Sequence, residues 1–390
     1  MRTGPSTTRP FRLTLLLVSG SLVLGASCSL QGTVEAIPTD GGDAGPTDSG
    51  PLDAGALDSG VFDAGTTDAG PSDAGVVDAG RSSLALSVRG SQFVLSDGGV
   101  VDARGAASCC GGGYGWPLYD EAWADLVASK GGNFLHMRVG PFRTEGNGET
   151  DWAPVGGGYV EAAGKADLSQ FNPVFWTRVR ALLQYARDRQ LYVEVDVIDG
   201  WSLKHCQAGD IPGYSAWDSA FNVQQANGCG PAGKGAISPG SLAEQWVRKV
   251  VAETGGFDNV LYQDGNELGL VQGYSPAWTR SMHDLIRAEE QARGFVRHPF
   301  ATNSDVLSVM QSPEVDYLEF HQSTPLTAGQ CLGKPCLVNE YNPSPALTPA
   351  QFRQRFCAAR QQGTSFWYWR HDQTEDQMLE SLTQLGQPCN

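Results

Sequence analysis

The chain has little positive charge. Its 390 residues include 27 Lys and Arg against 43 Asp and Glu, which gives a formal net charge of −16. The first 30 residues carry three Arg and no acid, and residues 31–80 carry nine Asp and one Glu, so the rest of the chain holds −9. Nucleic acid and anionic membrane surfaces require clustered Lys and Arg, so neither is an expected partner.

Motifs of several enzyme classes are also absent. No Gly-x-Ser-x-Gly occurs, which argues against a serine hydrolase of that type. The six His occur singly, without the spacing of zinc proteases, and no Cys-x-x-Cys pair suggests structural zinc. The run Gly111–Gly115 lacks the spacing of a dinucleotide-binding loop. We therefore expect neither a metal nor a cofactor.

The N-terminus has the pattern of a secretory signal. Three Arg precede an apolar run over residues 13–24, which is too short to span a membrane. Cys28 follows the small residues 25–27, as in a bacterial lipoprotein signal whose thiol is lipidated after cleavage. We predict a signal over residues 1–28 and a lipid anchor at Cys28, with simple secretion as the alternative.

Residues 29–82 form a low-complexity segment. Asp recurs every five residues from Asp43 to Asp78, mostly within Asp-Ala-Gly or Asp-Ser-Gly. Such a segment has little to bury and repels itself, which predicts a disordered linker. A weak calcium-binding repeat is the alternative, although isolated carboxylates supply few ligands.

Eight Cys remain after Cys28, an even number that favours disulfides in a secreted chain. The pairs closest in sequence are Cys206 with Cys229, Cys331 with Cys336, and Cys357 with Cys389. Cys109 and Cys110 are adjacent, so a bridge between them would be strained.

Residues 83–390 alternate β-rich and helical runs, which predicts one α/β domain. A hairpin over residues 91–100 turns at Asp97-Gly98. Helices are predicted to begin at Asn172-Pro173, Ser241, Ser275-Pro276 and Thr348-Pro349. Strands are predicted near Val100–Ala106, Asn133–Val139, Leu191–Ile198, Asn259–Asp264, His298–Asn303, Val315–Phe320, Pro335–Val338 and Thr364–Trp369.

Eight strands with intervening helices predict a (β/α)8 TIM barrel rather than a doubly wound open sheet. The helices after the fifth and sixth strands look short or missing. Long loops over 140–171 and 199–240 would lie on the active face of such a barrel.

Two apolar runs end in the same dipeptide. The fourth strand ends at Asn266-Glu267, and the seventh leads into Asn339-Glu340. Barrel enzymes place catalytic groups at the carboxyl ends of strands, so both Glu would face one pocket. Paired carboxylates are what the hydrolysis of a glycosidic bond requires. A solvated surface position is the alternative for either Glu alone.

These motifs resemble those of the clan A retaining glycoside hydrolases, the cellulase-like barrels of family 5. The resemblance covers most of residues 100–370, although only the two Glu motifs are specific. It implies that Glu267 is the acid/base, that Glu340 is the nucleophile, and that Asn266 contacts the sugar 2-hydroxyl.

The same resemblance implies further substrate-binding residues. Arg138 would orient the nucleophile, although a structural ion pair is the alternative. His321 would contact substrate or be a core histidine, and Ser323 stands where the family often has Tyr. Trp369, on the same strand face as Trp367, would be a sugar platform or a core residue.

Three residues outside these motifs are further candidates. Trp201 and Trp116 follow the third and first strands, where an aromatic face could stack on a sugar. Asp199 either binds a hydroxyl or caps a turn.

The sequence thus predicts a retaining β-glycosidase of the cellulase or mannanase type. It would act as a monomer on a polysaccharide or oligosaccharide outside the cytoplasm, reaching the membrane only through a lipid anchor. A non-catalytic carbohydrate-binding barrel at the cell surface is the rival from another class. A transferase using the same covalent intermediate would differ only in the acceptor.

Overall fold

A computed structural model describes most of the domain predicted over residues 83–390. The described residues are 83–105, 121–143, 157–209, 213–304, 306–322, 326–327, 329–341, 347–361, 365–368 and 387–389. The predicted signal, the linker and Cys28 lie outside them.

The described chain begins with a small antiparallel sheet. Its strands are β1 (Leu86–Arg89), β2 (Gln92–Leu95) and β3 (Val100–Val101), in that order. Strands β2 and β3 form the predicted hairpin, closed by a hydrogen bond from the Leu95 amide to the Gly99 carbonyl (2.8 Å). The predicted barrel strand Val100–Ala106 is therefore largely wrong, because Val100 and Val101 pair with β2. Among the described residues of that predicted strand, Gly105 makes a parallel bridge, to Phe134.

A seven-stranded parallel sheet forms the centre of the domain. In chain order its strands are β4 (Phe134–Arg138), β7 (Tyr192–Asp196), β8 (Val260–Gln263), β9 (Phe300–Thr302), β10 (Tyr317–Gln322), β11 (Cys336–Tyr341) and β12 (Ser365–Tyr368). Each strand pairs with the next, so the spatial order follows the sequence. This curled sheet contains seven of the eight predicted barrel strands and confirms the α/β class.

Helices connect most of these strands. They are α1 (Glu121–Ser129), α2 (Pro173–Asp188), α3 (Gly200–Ala208), α4 (Leu242–Thr254), α5 (Pro276–Arg293), α6 (Leu307–Met310) and α7 (Pro349–Gln361). All four predicted helix starts are confirmed. Asn172 caps α2 by accepting from the Val174 amide, and Ser241 caps α4 by accepting from the Glu244 amide (both 3.0 Å). The α6 helix is short, as expected.

The two predicted long loops contain regular structure. Within 140–171 lies a hairpin of β5 (Tyr159–Ala162) and β6 (Lys165–Phe171). Within 199–240 lies α3. The described parts of both regions therefore contain more regular structure than the sequence suggested.

The two faces of the parallel sheet have different chemistry. Alternate residues such as Val193 and Val195 pack against the helices in the larger core. On the other face, Phe134, Tyr192 and Tyr317 form an apolar layer that packs against Phe93 of β2. We call this second face the inner face. Nearer the carboxyl ends of the strands, its side chains become polar.

The three predicted Cys pairs lie in geometry compatible with disulfide bonds. The Cα–Cα distances are 5.3 Å for Cys206–Cys229, 5.4 Å for Cys331–Cys336 and 5.3 Å for Cys357–Cys389. Cys109 and Cys110 lie outside the described residues. Among the described helices, none has both the length and the apolar character needed to span a bilayer.

Candidate active site

The backbone turns sharply after β8 and presents Glu267 at the carboxyl end of the sheet. Glu267 has φ 52°, a left-handed conformation that is uncommon for a residue with a side chain. Its amide donates to the Asn303 side-chain oxygen (3.2 Å), and it precedes a short 3-10 helix, Leu268–Leu270. Strained residues of this kind are concentrated at functional sites.

Asp264 stabilises this turn through hydrogen bonds to backbone amides. It is fully buried, and its Oδ1 accepts from the amides of Gly265 (2.9 Å) and Asn303 (3.3 Å). Its Oδ2 accepts from the hydroxyls of Tyr274, Thr279 and Thr302. Burial raises the pKa of Asp264 to about 6, against the effect of these hydroxyls. Asp264 thus fixes Asn303, which in turn fixes Glu267.

A carboxylate joins two predicted site residues next to Glu267. Asp199 Oδ1 accepts from Arg138 Nη2 (2.7 Å) and from Asn266 Nδ2 (3.2 Å). Burial raises the pKa of Asp199, and the charge of Arg138 opposes that rise. Arg138 therefore makes an ion pair, which was the alternative to a role in orienting the nucleophile. It also lies at the site. Asp199 caps α3, which was one of its two predicted roles.

His321 lies on the inner face of β10 and contacts Glu267. Its Nδ1 is 3.4 Å from Glu267 Oε1, and the two side chains are 16% and 28% exposed. In the pairing of β10 with β11, His321 stands opposite Glu340, next to a register shift. The fold thus brings the backbone of Glu340 beside the residue that contacts Glu267.

The charges around Glu267 favour its ionised form. Burial raises the pKa of Glu267, but the hydrogen bond and charge of His321, together with Arg138 and Lys204, lower it below its usual value. A general acid must be protonated near neutral pH, and a second carboxylate nearby favours that form. Among the described neighbours, the cations dominate instead.

A layer of buried ionisable groups lies beneath the site on the inner face. Asp196 Oδ2 is 2.9 Å from His136 Nε2 and 3.9 Å from Arg138 Nε. Burial lowers the pKa of His136, but the charge and hydrogen bond of Asp196, together with the charge of Glu194, outweigh burial and raise that pKa. The sequence signal for this layer is the alternation of Glu194 and Asp196 with Val in β7, and we did not predict a role for either acid.

Two carboxyl groups in this layer share a hydrogen bond. Glu194 and Glu319 are both buried and bonded to each other, and Tyr317 donates to Glu194 Oε1 (3.0 Å). Burial and the neighbouring acid raise the pKa of Glu319 well above its usual value. The pair therefore holds a proton in the folded protein that the unfolded chain loses at a lower pH.

This shared proton predicts a pH-dependent stability. Because the folded pKa is raised, the stabilisation is complete below the unfolded pKa of about 4.5 and is lost as pH rises. Glu319→Gln supplies a permanent N–H donor, so the variant should lose less unfolding free energy than wild type between pH 5 and pH 8. Urea unfolding at both pH values measures this, and each pKa unit corresponds to about 1.4 kcal/mol.

Asp97→Asn is the matched control, because that carboxylate is exposed and accepts from the local Gly99 amide. It should follow wild type at both pH values. Equal pH dependence in wild type and Glu319→Gln would show that the pair holds no extra proton.

Trp201 lies in the first turn of α3 rather than in a loop. The ammonium of Lys204 is 4.1 Å from the centre of its ring, and the ring centre of His205 is 4.4 Å away. A sugar stacking on the face under Lys204 would have to displace that cation. The role of Trp201 as a sugar platform stays a prediction. Trp369 and Trp116 lie outside the described residues.

Among the described residues, no group of three or more His, Cys, Asp or Glu is arranged to hold a metal ion. The chemistry available at the site is that of carboxylates, a histidine, an amide and a guanidinium.

No protein-family model matches the chain, and no curated protein matches it. Solved structures do have a similar fold. One is a protein from Bacteroides vulgatus described as a glycoside hydrolase, at 13% identity and a TM-score of 0.53, covering 77% of this chain and 60% of that one. Another is the β-mannanase of the blue mussel Mytilus edulis, at 12% identity and 0.51, covering 78% and 97%. At these identities the similarity shows that the fold is shared.

Proposed function

We propose that the chain is a retaining glycoside hydrolase that cleaves β-linked glycans of the glucan or mannan type. Glu267 acts as the acid/base and Glu340 as the nucleophile. The observation that carries this proposal is the backbone pairing of Glu340 with His321, whose ring lies 3.4 Å from Glu267. Two Glu far apart in sequence thus belong to one end of one sheet, the end that bears catalytic groups in barrel enzymes.

The reaction proceeds by two displacements. A Glu340 oxygen attacks the anomeric carbon while the Glu267 proton passes to the leaving glycosidic oxygen. Water then gives a proton to Glu267 and attacks the same carbon, which releases the sugar and restores Glu340. Retaining enzymes hold the two carboxyl groups about 5–5.5 Å apart, which leaves no room for water between nucleophile and sugar.

Asn266 and Arg138 complete the proposed site. The Asn266 amide donates to Asp199, while its buried Oδ1 has no hydrogen-bond partner among the described residues. That oxygen is available to accept from the sugar 2-hydroxyl, a contact that strengthens in the transition state. Arg138, held by Asp199, provides a fixed positive charge near Glu267.

The proposal is tested with the disulfide-bonded protein on aryl β-glycosides, β-glucans, β-mannans and xylans. We expect release of reducing sugar, with the first-formed product in the β configuration by proton NMR. A first product in the α configuration would contradict the retaining mechanism. Glycan binding without turnover would contradict the hydrolase and support the alternative, a non-catalytic carbohydrate-binding barrel.

We also propose that the enzyme is held outside the cytoplasm by a lipid on Cys28, with residues 29–82 as the spacer. A thiol directly after small residues at the end of a signal pattern supports this. Cells expressing wild type should incorporate labelled fatty acid into the protein, and Cys28→Ser should abolish the label. Cys110→Ser is the control, and labelling that survives Cys28→Ser would contradict the anchor.

A further inference from the structure

Asp199 sits at the junction of three elements of the site. It ends the segment after β7, precedes α3 and faces both β4 and the turn after β8. Its side chain is fully buried, and three donors use its two oxygens. Oδ1 accepts from Arg138 and Asn266, and Oδ2 accepts from the Ser202 amide (2.7 Å).

The backbone reinforces this junction. Asp199 and Asn266 form a parallel bridge, in which the Gly200 amide donates to the Asn266 carbonyl (2.7 Å) and the Asn266 amide to the Ile198 carbonyl (3.2 Å). The two backbone segments approach so closely that a Cβ on Gly200 would lie 2.8 Å from the Glu267 carbonyl oxygen. Asp199 is thus held rigidly against the segment that carries Asn266 and Glu267.

One oxygen shared by two donors has a specific effect. The ionised Oδ1 attracts the guanidinium and the amide NH₂ to the same point, and so sets the distance between Arg138 and Asn266. It also fixes the amide orientation, because an NH₂ directed at Asp199 turns the Asn266 oxygen away from it. Charge-assisted hydrogen bonds of this kind are short and strongly directional.

We infer that Asp199 is a positioning residue that locks Asn266 and Arg138 in the orientation needed to bind the sugar. This inference rests on the proposed function for its effect on turnover, but not for its effect on side-chain position. A helix cap alone would be the simpler role, since Asp199 caps α3.

Two substitutions separate positioning from capping. Asn and Ser are both good N-cap residues, so Asp199→Asn and Asp199→Ser retain the cap. Asn is the same size but, with its oxygen capping Ser202, it presents an NH₂ to the two donors. Ser is too short to reach both. Neither variant can accept from Arg138 and Asn266 together.

We expect both variants to lose about 10²-fold in kcat/KM, mostly through kcat, because displacing a contact group by about 1 Å has that effect. Their crystal structures should show the Asn266 and Arg138 side chains moved while α3 is unchanged. In an Asn266→Ala background, Asp199→Asn should lower kcat/KM far less than it does in the wild-type background, because the two residues act through one contact.

Asp218→Asn is the control, because that partly exposed carboxylate caps a local turn through the Ala220 amide. If both Asp199 variants keep the wild-type side-chain positions, the inference is overturned, whatever the activity. Displaced side chains with unchanged kcat/KM would also overturn it. If wild type hydrolyses no glycan, the proposed function fails, and the crystal structures still decide whether Asp199 positions its neighbours.

Discussion

Glu340→Ala should abolish hydrolysis, with a loss of about 10⁶-fold in kcat, the order seen when a covalent nucleophile is removed. No group then remains to attack the anomeric carbon, while Glu267 can still donate its proton. Sodium azide should restore turnover of aryl glycosides, because the small anion fits the space left by the side chain. It attacks from the face that Glu340 used, so the product should be the α-glycosyl azide.

The matched control for this prediction is Glu314→Ala. Glu314 precedes β10 and therefore lies at the opposite end of the sheet, where its carboxylate pairs with Arg280 (3.2 Å). It should keep wild-type activity. Full activity in Glu340→Ala, or rescue that yields only the β-azide, would assign the nucleophile elsewhere.

Glu267→Gln should lose about 10²–10⁴-fold in kcat/KM on natural glycans, the usual contribution of a general acid. The glycosidic oxygen of a sugar leaves poorly without a proton, and Gln cannot supply one. A dinitrophenyl glycoside needs no protonation, so its first step should proceed nearly as in wild type. The second step lacks its base, so the covalent intermediate should accumulate and KM should fall.

The dependence on leaving group is therefore the decisive feature of Glu267→Gln. Azide should speed the second step and give the β-glycosyl azide, the opposite anomer to that from Glu340→Ala. Glu314→Gln is the control and should match wild type on both substrates. A uniform loss across natural and dinitrophenyl substrates would show that Glu267 binds substrate without transferring a proton.

Local patterns predicted most elements of the fold. The helices α2 and α4 begin at caps, Asn172 and Ser241, whose hydrogen bonds form within three residues. The β5–β6 hairpin escaped notice because its turn is Ala163-Gly164, both with positive φ, rather than Asn-Gly or Asp-Gly. The α3 helix begins with Gly200, a poor helix former, and its apolar residues show little helical periodicity.

The site was predictable only in part. Asn266 and Glu267 could be found because they closely follow an apolar run, which is a local signal. The contact of Asp199 with Arg138 joins residues 61 positions apart and depends on strand register, which no local pattern specifies. The effect of Lys204 on Glu267 likewise depends on the direction of α3. Side-chain pairing across strands therefore required the structure.

The most direct test of the central claim is to trap the covalent intermediate. A 2-deoxy-2-fluoro β-glycoside with a dinitrophenyl leaving group slows both steps, the second more than the first, so a glycosyl-enzyme should accumulate. Mass spectrometry of the digested protein should then find one sugar bound to the peptide that carries Glu340, and none in Glu340→Ala. A label on another residue, or no label on an enzyme that hydrolyses glycans, would contradict the assignment of Glu340 as the nucleophile.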